Sequence, residues 1–295
     1  MKMQQLQGNT WYINFPSAVG IYIFPDNTCL LIDSGASEAF GRRIHKITEN
    51  NGLHIRYLLN THAHADHCGG NRYLQETTGC QILASKIASA YMENPLLIPV
   101  TLYSANPIKA LKNKYLMPPV SKVNQQVEEG DININGSSFK LLALAGHSLC
   151  HIGIITPDQI LFAGDSLISQ EKLKEFPFLY LADVEQQLET LDKLKKLNIN
   201  QVFLSHGGLQ NSVNELIAKN YEVLMAIVEY VYNLISQPRE REEILPMLVN
   251  HFNLKLNRNQ YFLTLASLSA VLSYLCNIKQ ARVYTENNRL LFRKA

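Results

Sequence analysis

Hydrophobic and polar positions in the N-terminal part of the chain alternate between the two-residue period of strands and the spacing of amphipathic helices. Turn-forming residues separate these segments and indicate where each one ends. The predicted elements are a hairpin of strands 17–24 and 28–33, helices at 38–50 and 70–77, strands at 81–84, 132–135, 139–143, 152–156 and 159–163, a helix from Asp183 to Leu197 and a strand at 202–204. We expect the strands from 81–84 to 159–163 to form the second of two β layers covered by helices, an αββα sandwich of the α/β class.

The C-terminal part has a different, mainly helical pattern. Its predicted elements are helices at 213–236, 239–250 and 261–278, followed by a β-hairpin at 281–293 that turns at Asn287-Asn288. The third of these helices is strongly apolar. We therefore predict a mixed α/β domain over residues 1–212 and a helical module over residues 213–295.

Length and composition limit the class of protein. The chain has 295 residues, 46% hydrophobic and 18% charged, which is enough material for a buried core without covalent cross-links. Its five cysteines are an odd number without a Cys-x-x-Cys pair, which predicts reduced thiols. The N-terminus lacks the apolar stretch of a secretion signal and no run has the length of a membrane span. These features predict a cytoplasmic protein that makes no membrane contact.

Candidate chemistry is concentrated in one short loop after the β-rich run 55–60. The loop reads His-Ala-His-Ala-Asp-His and supplies His62, His64, Asp66 and His67. Histidine and carboxylate side chains favour open catalytic metal sites, whereas structural zinc sites use Cys-rich spacings. Three further candidates stand where apolar stretches give way to small residues: His147, Asp165 and His206. These seven side chains are enough for two metal ions that share one carboxylate.

The motifs resemble those of the metallo-β-lactamase superfamily. The resemblance rests on Leu31-Ile-Asp-Ser-Gly35, on Thr61 to His67 with Gly69-Gly70, and on Gly146-His147, Gly164-Asp165 and His206, in the family's order over roughly residues 10 to 210. A single HxHxDH string is a moderate signal, whereas the ordered set is a strong one. The resemblance implies the αββα fold and a metal-dependent hydrolase of the glyoxalase II-like branch.

The resemblance also implies a role for each candidate. His62, His64 and His147 correspond to the ligands of one metal, and Asp66, His67 and His206 to those of the other. Asp165 corresponds to the carboxylate that bridges both metals, so Asp66 and Asp165 are the acidic groups expected at the reacting centre. Asp33 resembles an acid that holds a ligand loop by hydrogen bonds without touching metal.

The chemistry of such a site follows from its ligands. Two cations on the order of 3.5–4 Å apart lower the pKa of a shared water and polarise the bond that it attacks. Zinc is the expected metal, with iron or manganese as alternatives, because imidazole and carboxylate suit all three. The chain contains no Gly-x-Ser-x-Gly elbow, so we assign the nucleophile to a metal-bridging hydroxide and not to a side chain.

Three residues near these motifs need a separate interpretation. Cys68 and Cys150 adjoin ligand motifs, but we expect both to be small buried fillers. The family commonly has Gly-His-[ST]-Pro-Gly-His where this chain reads Gly146-His-Ser-Leu-Cys-His151. His151 is expected to order His147 and not to bind metal.

The segment 86–125 combines five prolines with tyrosines, methionines and leucines. Proline density argues against one long helix, and the apolar content argues against an exposed linker. The segment is either a partly helical lid over the metal site or a part of the sandwich packing, and residues 176–180 are candidates for the opposite wall. An apolar rim suits an acyl substrate better than a polyanion.

Two classes of function stay open. The first is hydrolysis of a small thioester, lactone or related acyl compound; the second is a metal-dependent phosphodiesterase or ribonuclease, or a nucleic-acid-binding winged-helix protein. The C-terminal helices and hairpin resemble the winged-helix module of some lactamase-fold hydrolases. From Arg239 onward nine Lys/Arg face four Asp/Glu, a formal charge of +5 against −3 for the rest. We prefer the acyl hydrolase, with the module packed on the catalytic domain or forming a homodimer contact, because the third helix is too apolar for a plain recognition helix.

Overall fold

The computed structural model describes residues 2–176, 178, 180–197 and 199–295. A seven-stranded sheet consists, in spatial order, of β1 (Met3–Gln7), β2 (Thr10–Ile13), β3 (Val19–Ile23), β4 (Thr28–Ile32), β5 (His54–Leu59), β6 (Gln81–Ala84) and β7 (Gln125–Gln126). Neighbours from β1 to β4 are antiparallel, and those from β4 to β7 are parallel. The predicted hairpin of strands 17–24 and 28–33 is confirmed as β3 and β4.

A six-stranded sheet forms the second layer. Its strands are β8 (Gly130–Ile134), β9 (Ser137–Ala143), β10 (Ile152–Ile155), β11 (Leu161–Phe162), β12 (Val202–Leu204) and β13 (Gly208–Gln210), in the spatial order β13-β12-β11-β10-β9-β8. All neighbours are antiparallel except β11 and β12. Both sheets are therefore mixed, with parallel as well as antiparallel neighbours.

The strand at Gln81–Ala84 forms where it was predicted, but the predicted layer was wrong. As β6 it belongs to the first sheet and pairs in parallel with β5, with Tyr57 opposite Gln81. The reason lies in the connection, because helix α3 (Asn71–Thr78) links β5 to β6. A strand, a crossover helix and a second strand place the two strands parallel in one sheet.

Helices cover the outer face of both sheets. The remaining helices of the N-terminal part are α1 (Glu38–Asn50), α2 (Ala65–Cys68), α4 (Lys86–Glu93), α5 (Leu97–Tyr103), α6 (Gln170–Glu175) and α7 (Val184–Lys196). The predicted cap of α7 is confirmed, because the Asp183 side chain accepts a hydrogen bond from Gln186 N–H at 3.0 Å. The buried Leu191 and Leu194 of α7 pack with the second sheet.

The main core lies between the sheets. Phe24, Phe139 and Phe203 are fully buried there, and the rings of Tyr22 and Phe139 meet edge to face with centroids 4.9 Å apart. On the other face of the first sheet, buried Ile44 of α1 and Leu74 of α3 pack against its strands. Helix, sheet, sheet and helix layers therefore confirm the αββα sandwich.

The C-terminal part consists of three helices and a hairpin, as predicted. They are α8 (Val213–Leu234), α9 (Arg241–His251), α10 (Arg258–Asn277), β14 (Ala281–Glu286) and β15 (Arg289–Lys294). The hairpin turns at Asn287 and Asn288, whose φ angles of 51° and 62° suit the tight turn that joins two strands. Side chains of all three helices form one apolar cluster with Val184 of α7.

The boundary at residue 212 stays a prediction. Helix α8 belongs to both parts, because its Leu216 packs with the second sheet and its Val231 with the C-terminal helices. Helix α10 also contacts α5 and α7. Within the described residues, no helix combines the length and apolarity needed to cross a membrane.

Candidate metal centre

The candidate side chains lie just beyond the carboxyl ends of strands. His62 and the rest of its loop follow β5, His147 follows β9, Asp165 follows β11 and His206 follows β12. Since these strand ends meet at one edge of the sandwich, residues far apart in sequence converge there. Gly146 permits a close approach before His147: its φ is 140°, and a Cβ there would lie 2.6 Å from Gln187 Cα.

The structure brings all seven candidates into two adjacent groups. Within each group the potential ligand atoms lie within 4.8 Å of one another: His62, His64 and His147 in the first, and Asp66, His67, Asp165 and His206 in the second. In the first, His64 Nδ1 lies 3.0 Å from both His62 Nε2 and His147 Nε2. Asp165 Oδ2 links the groups, at 3.3 Å from His67 Nε2 and 3.8 Å from His147 Nε2.

Unpartnered polar atoms show that this arrangement fits cations. His67 Nε2 and Asp165 Oδ1 are buried and have no hydrogen-bond partner among the described residues. Buried polar groups are normally satisfied, so these atoms require a group that the chain itself does not supply. Imidazole nitrogens and carboxylate oxygens that converge in this way are the donors that divalent metals such as zinc prefer.

The protonation states favour the same interpretation. Burial lowers the pKa of His62 well below its ordinary value and the pKa of His64 to about 3, so both rings are neutral and keep a free lone pair. Burial opposes ionisation of Asp165, but His67 and His206 outweigh it and hold the pKa of this carboxyl below its usual range. The first group thus presents the neutral imidazoles of His62 and His64, and the adjacent second group contains the ionised carboxylate of Asp165.

Hydrogen bonds orient three of the histidines. Each donates its Nδ1–H to an acceptor: His67 to Asp33 Oδ2 at 2.9 Å, His147 to Tyr180 O at 2.9 Å and His206 to Pro16 O at 2.7 Å. Nε2 is then left as the lone-pair atom that faces the centre, which is how metal-binding histidines are commonly held.

Asp33 makes the contacts expected of it. Besides His67, its carboxylate accepts hydrogen bonds from the Thr61 backbone N–H at 2.8 Å and from Thr61 Oγ1 at 2.9 Å. Asp33 therefore fixes the start and the end of the His62–His67 loop through one buried side chain.

His151 makes more contacts than predicted. It was expected to order His147, and the two rings meet edge to face with centroids 6.2 Å apart. In addition, His151 Nε2 accepts the Asp165 backbone N–H at 3.0 Å, and the ring stacks on His62 at a centroid distance of 4.8 Å. The next residue contributes to this placement of His151, because Ile152 N–H donates a hydrogen bond to Thr61 O and holds His151 beside the loop that follows β5.

The two cysteines beside the motifs are buried, as predicted. Cys68 Sγ donates to the carbonyls of Ala63 and His64 at 3.4 and 3.1 Å. Burial raises the pKa of both Cys68 and Cys150, which disfavours the thiolate. Neither cysteine belongs to the two ligand groups.

A cavity of about 340 Å³ opens beside His64 and Asp66. Segment 86–125 supplies one of its walls, including Tyr91 and Leu102, while its buried Ala88 and Met92 pack in the core, so the segment has features of both predicted roles. Tyr180 borders the cavity, while Pro177 and Leu179 of the predicted opposite wall lie outside the described residues. Burial raises the pKa of Tyr180 to about 12, which keeps its hydroxyl protonated.

Sequence reasoning missed Gln187. Its Oε1 accepts the His147 backbone N–H at 3.0 Å, and its Nε2 donates to Ser166 O at 2.8 Å. Gln187 thereby ties the loop of His147 to the loop of Asp165. A polar residue three positions after Val184, on the apolar side of a predicted amphipathic helix, was the available signal.

Comparison with known proteins identifies the family. A family model described as the metallo-beta-lactamase superfamily matches residues 7–206. The hydroxyacylglutathione hydrolase of Idiomarina loihiensis is 27% identical over 217 residues, which cover 73% of this chain and 70% of that protein. The beta-lactamase-like protein 2 homolog of Caenorhabditis elegans is 22% identical over 226 residues, 75% of this chain and 65% of that protein.

Solved structures share the fold at low identity. A beta-lactamase domain protein from Burkholderia ambifaria superposes with a TM-score of 0.81 and 18% identity, covering 99% of this chain and 94% of that one. A metallo-beta-lactamase family protein from Thermus thermophilus gives a TM-score of 0.74 at 16% identity, covering 97% and 99%. With the family match over residues 7–206 and the convergent His/Asp groups, the chain belongs to the metallo-beta-lactamase superfamily and is a metal-dependent hydrolase.

Proposed function

We propose that the chain hydrolyses a small thioester, lactone or related acyl compound at a binuclear metal site. His62, His64 and His147 would hold one ion, Asp66, His67 and His206 the other, and Asp165 would bridge them. Zinc is the proposed metal, with iron or manganese as alternatives that the same ligands accept. The observation that carries the proposal is Asp165, whose Oδ2 lies within 4 Å of Nε2 of His67, His147 and His206.

Two bound cations would supply an activated water and polarise the carbonyl that it attacks. The chain's own residues orient this chemistry. Asp33, Tyr180 O and Pro16 O fix three imidazoles by their Nδ1 atoms. Asp66 belongs to the second group and also borders the cavity, with its side chain 42% exposed. As a proposed metal ligand its lone pairs would be committed to the ion, so its role is to hold metal at the mouth of the cavity and not to accept a proton.

Three observations favour an acyl substrate over nucleic acid. The cavity beside the site is mainly apolar, and the hydroxyacylglutathione hydrolases among the relatives carry an acyl substrate in their names. In the C-terminal hairpin, Arg289 pairs with Glu240 at 3.1 Å and also with Glu243. An arginine already neutralised by two carboxylates is a weak phosphate contact, so the phosphodiesterase and nucleic-acid-binding alternatives are less well supported.

The test is the substitution Asp165→Asn in metal-loaded protein. Removal of the negative charge between two cations at constant size should reduce turnover of acyl substrates by orders of magnitude, while the melting temperature of the metal-free protein changes little. Elemental analysis of the wild type should approach two equivalents of metal. Unchanged turnover in the variant would contradict the proposed site. The cytoplasmic location and the homodimer contact stay predictions.

A further inference from the structure

The cavity beside the metal centre has an apolar wall built from three parts of the chain. Ile98 and Leu102 come from α5, Leu149 from the loop between β9 and β10, and Leu263 and Ala266 from α10. The C-terminal module therefore forms part of the cavity that a substrate would enter. A volume of about 340 Å³ falls in the range of small-ligand pockets.

The charges of the side chains along the cavity wall disfavour an anionic ligand. Among the described residues that border the cavity there is no Lys or Arg, and Asp66 contributes negative charge. Lys114 Nζ lies 5.3 Å from the Tyr115 ring centroid, but Lys114 does not border the cavity. A carboxylate or phosphate bound in this space would lose water without gaining a cationic side chain as a partner, which is costly.

The rim is apolar and partly uncovered. Leu149 is 50% exposed and Tyr115 is 71% exposed, and both border the cavity. Exposed apolar side chains around a concave site are typical of surfaces that bind an apolar ligand. A hydrocarbon chain would cover them.

Helix α10 contacts segment 86–125, the lid, through polar and aromatic side chains. Asn113 Nδ2 of the lid donates to Asn259 Oδ1 at 3.1 Å, and the rings of Tyr103 and Phe262 meet edge to face with centroids 5.5 Å apart. These contacts hold Leu263 and Ala266 at a set distance from Ile98 and Leu102. The space between the two helices is therefore of limited depth.

From these features we infer that the site hydrolyses acyl compounds with an uncharged, apolar chain, and that α10 sets the chain length through Leu263 and Ala266. This inference rests on the acyl hydrolysis proposed above. For a thioester, the oxygen of water bonds to the carbonyl carbon, the C–S bond breaks, and the thiol leaves with a proton from that water. The chain stays in the cavity as part of the carboxylate product until release.

The experiment measures kcat/KM of the zinc-loaded full chain for two neutral substrate series. One series consists of N-acetylcysteamine thioesters from acetyl to dodecanoyl, and the other of γ-lactones with alkyl substituents of increasing length. S-lactoylglutathione is the charged comparison. In the series that is cleaved, kcat/KM should rise about three- to four-fold for each added methylene until the cavity is filled and then level off. The kcat/KM for the longer neutral substrates should exceed the kcat/KM for S-lactoylglutathione.

Two variants and one control test whether α10 sets the preferred chain length. Ala266→Leu should reduce the ratio of kcat/KM for octanoyl over acetyl substrate by at least about ten-fold, the effect of excluding two or more methylenes. Leu263→Ala should move the optimum to longer chains. Ser273→Leu introduces the same side chain at an exposed position of α10 outside the cavity and should keep the wild-type profile.

The possible failures are distinguishable. Cleavage of acyl substrates with no dependence on chain length, or with S-lactoylglutathione as the best substrate, would overturn this inference and leave the proposed function standing. An unchanged profile in both Ala266→Leu and Leu263→Ala would remove the role of α10. Failure to cleave any member of either series or S-lactoylglutathione would overturn the proposed function together with the inference.

Discussion

Ser267 of α10 accepts a hydrogen bond from the backbone N–H of Leu181 at 2.9 Å. The preceding residue, Tyr180, accepts His147 Nδ1–H with its carbonyl at 2.9 Å. The C-terminal helix therefore holds the short segment that orients a proposed metal ligand. Ser267 Oγ itself donates to Leu263 O at 3.0 Å, which fixes the hydroxyl in position to accept.

Ser267→Ala should weaken metal binding at the first group about three- to ten-fold, less than the 10–100-fold typical of a direct hydrogen-bond partner of a ligand. The reason is that segment 180–181 loses one anchor and His147 gains freedom. Competition between the protein and a zinc chelator measures the change. Ser269→Ala is the matched control, because Ser269 contacts Leu265 O and Arg241 and not the site. Equal affinities in the two variants would show that the anchor has no influence on the metal.

Asp33→Asn should weaken metal binding about 10–100-fold. An amide can accept from either Thr61 or His67, but it lacks the charge that supports Nε2 of His67 as a ligand, and its NH₂ faces groups that also donate. Chelator competition and metal content after gel filtration report the loss. Asp192→Asn, an exposed change on α7, should bind metal as the wild type does. Full metal content and affinity in Asp33→Asn would contradict the role of this carboxylate.

Thiol reactivity should separate Cys276 from the other cysteines. Cys29, Cys68, Cys80 and Cys150 are buried, whereas Cys276 is only partly so. Burial raises the pKa of Cys29 to about 12, and thiolate appears only as pH approaches the pKa, so at pH 8 this thiol is almost wholly protonated. Titration of the native protein with a disulfide reagent at pH 8 should give about one fast thiol, and denaturant should release all five. Several fast thiols in the native state would mean that the core is more open than described.

Replacing Arg282, Arg289 and Arg293 with Gln should leave acyl hydrolysis unchanged and should not alter RNA binding. The reason is that Arg289 already pairs with Glu240 and Glu243, and that α10 packs on the catalytic part. Binding titrations at several salt concentrations give the number of phosphates contacted. Tight, salt-sensitive binding of the wild type that the triple variant loses would favour the nucleic-acid alternative.

Much of the candidate site could be predicted because its signals are local. The spacing from His62 to His67 and the small residues around His147, Asp165 and His206 identify the candidates directly in the sequence. The start of α7 was also predictable, because the capping residue Asp183 lies only three positions before its hydrogen-bond partner Gln186. Local periodicity also predicted α1 and the final hairpin to within a few residues.

The sequence by itself determined which side chains are available for metal chemistry and which segments are helices or strands, since both depend on neighbours in the chain. Only the tertiary structure decided that β6 joins the first sheet, that His151 supports Asp165, and that α10 borders the cavity. Ser267 and Leu181 lie 86 residues apart. Contacts over such distances depend on how the helices pack, because no local pattern specifies the partner of a buried polar group.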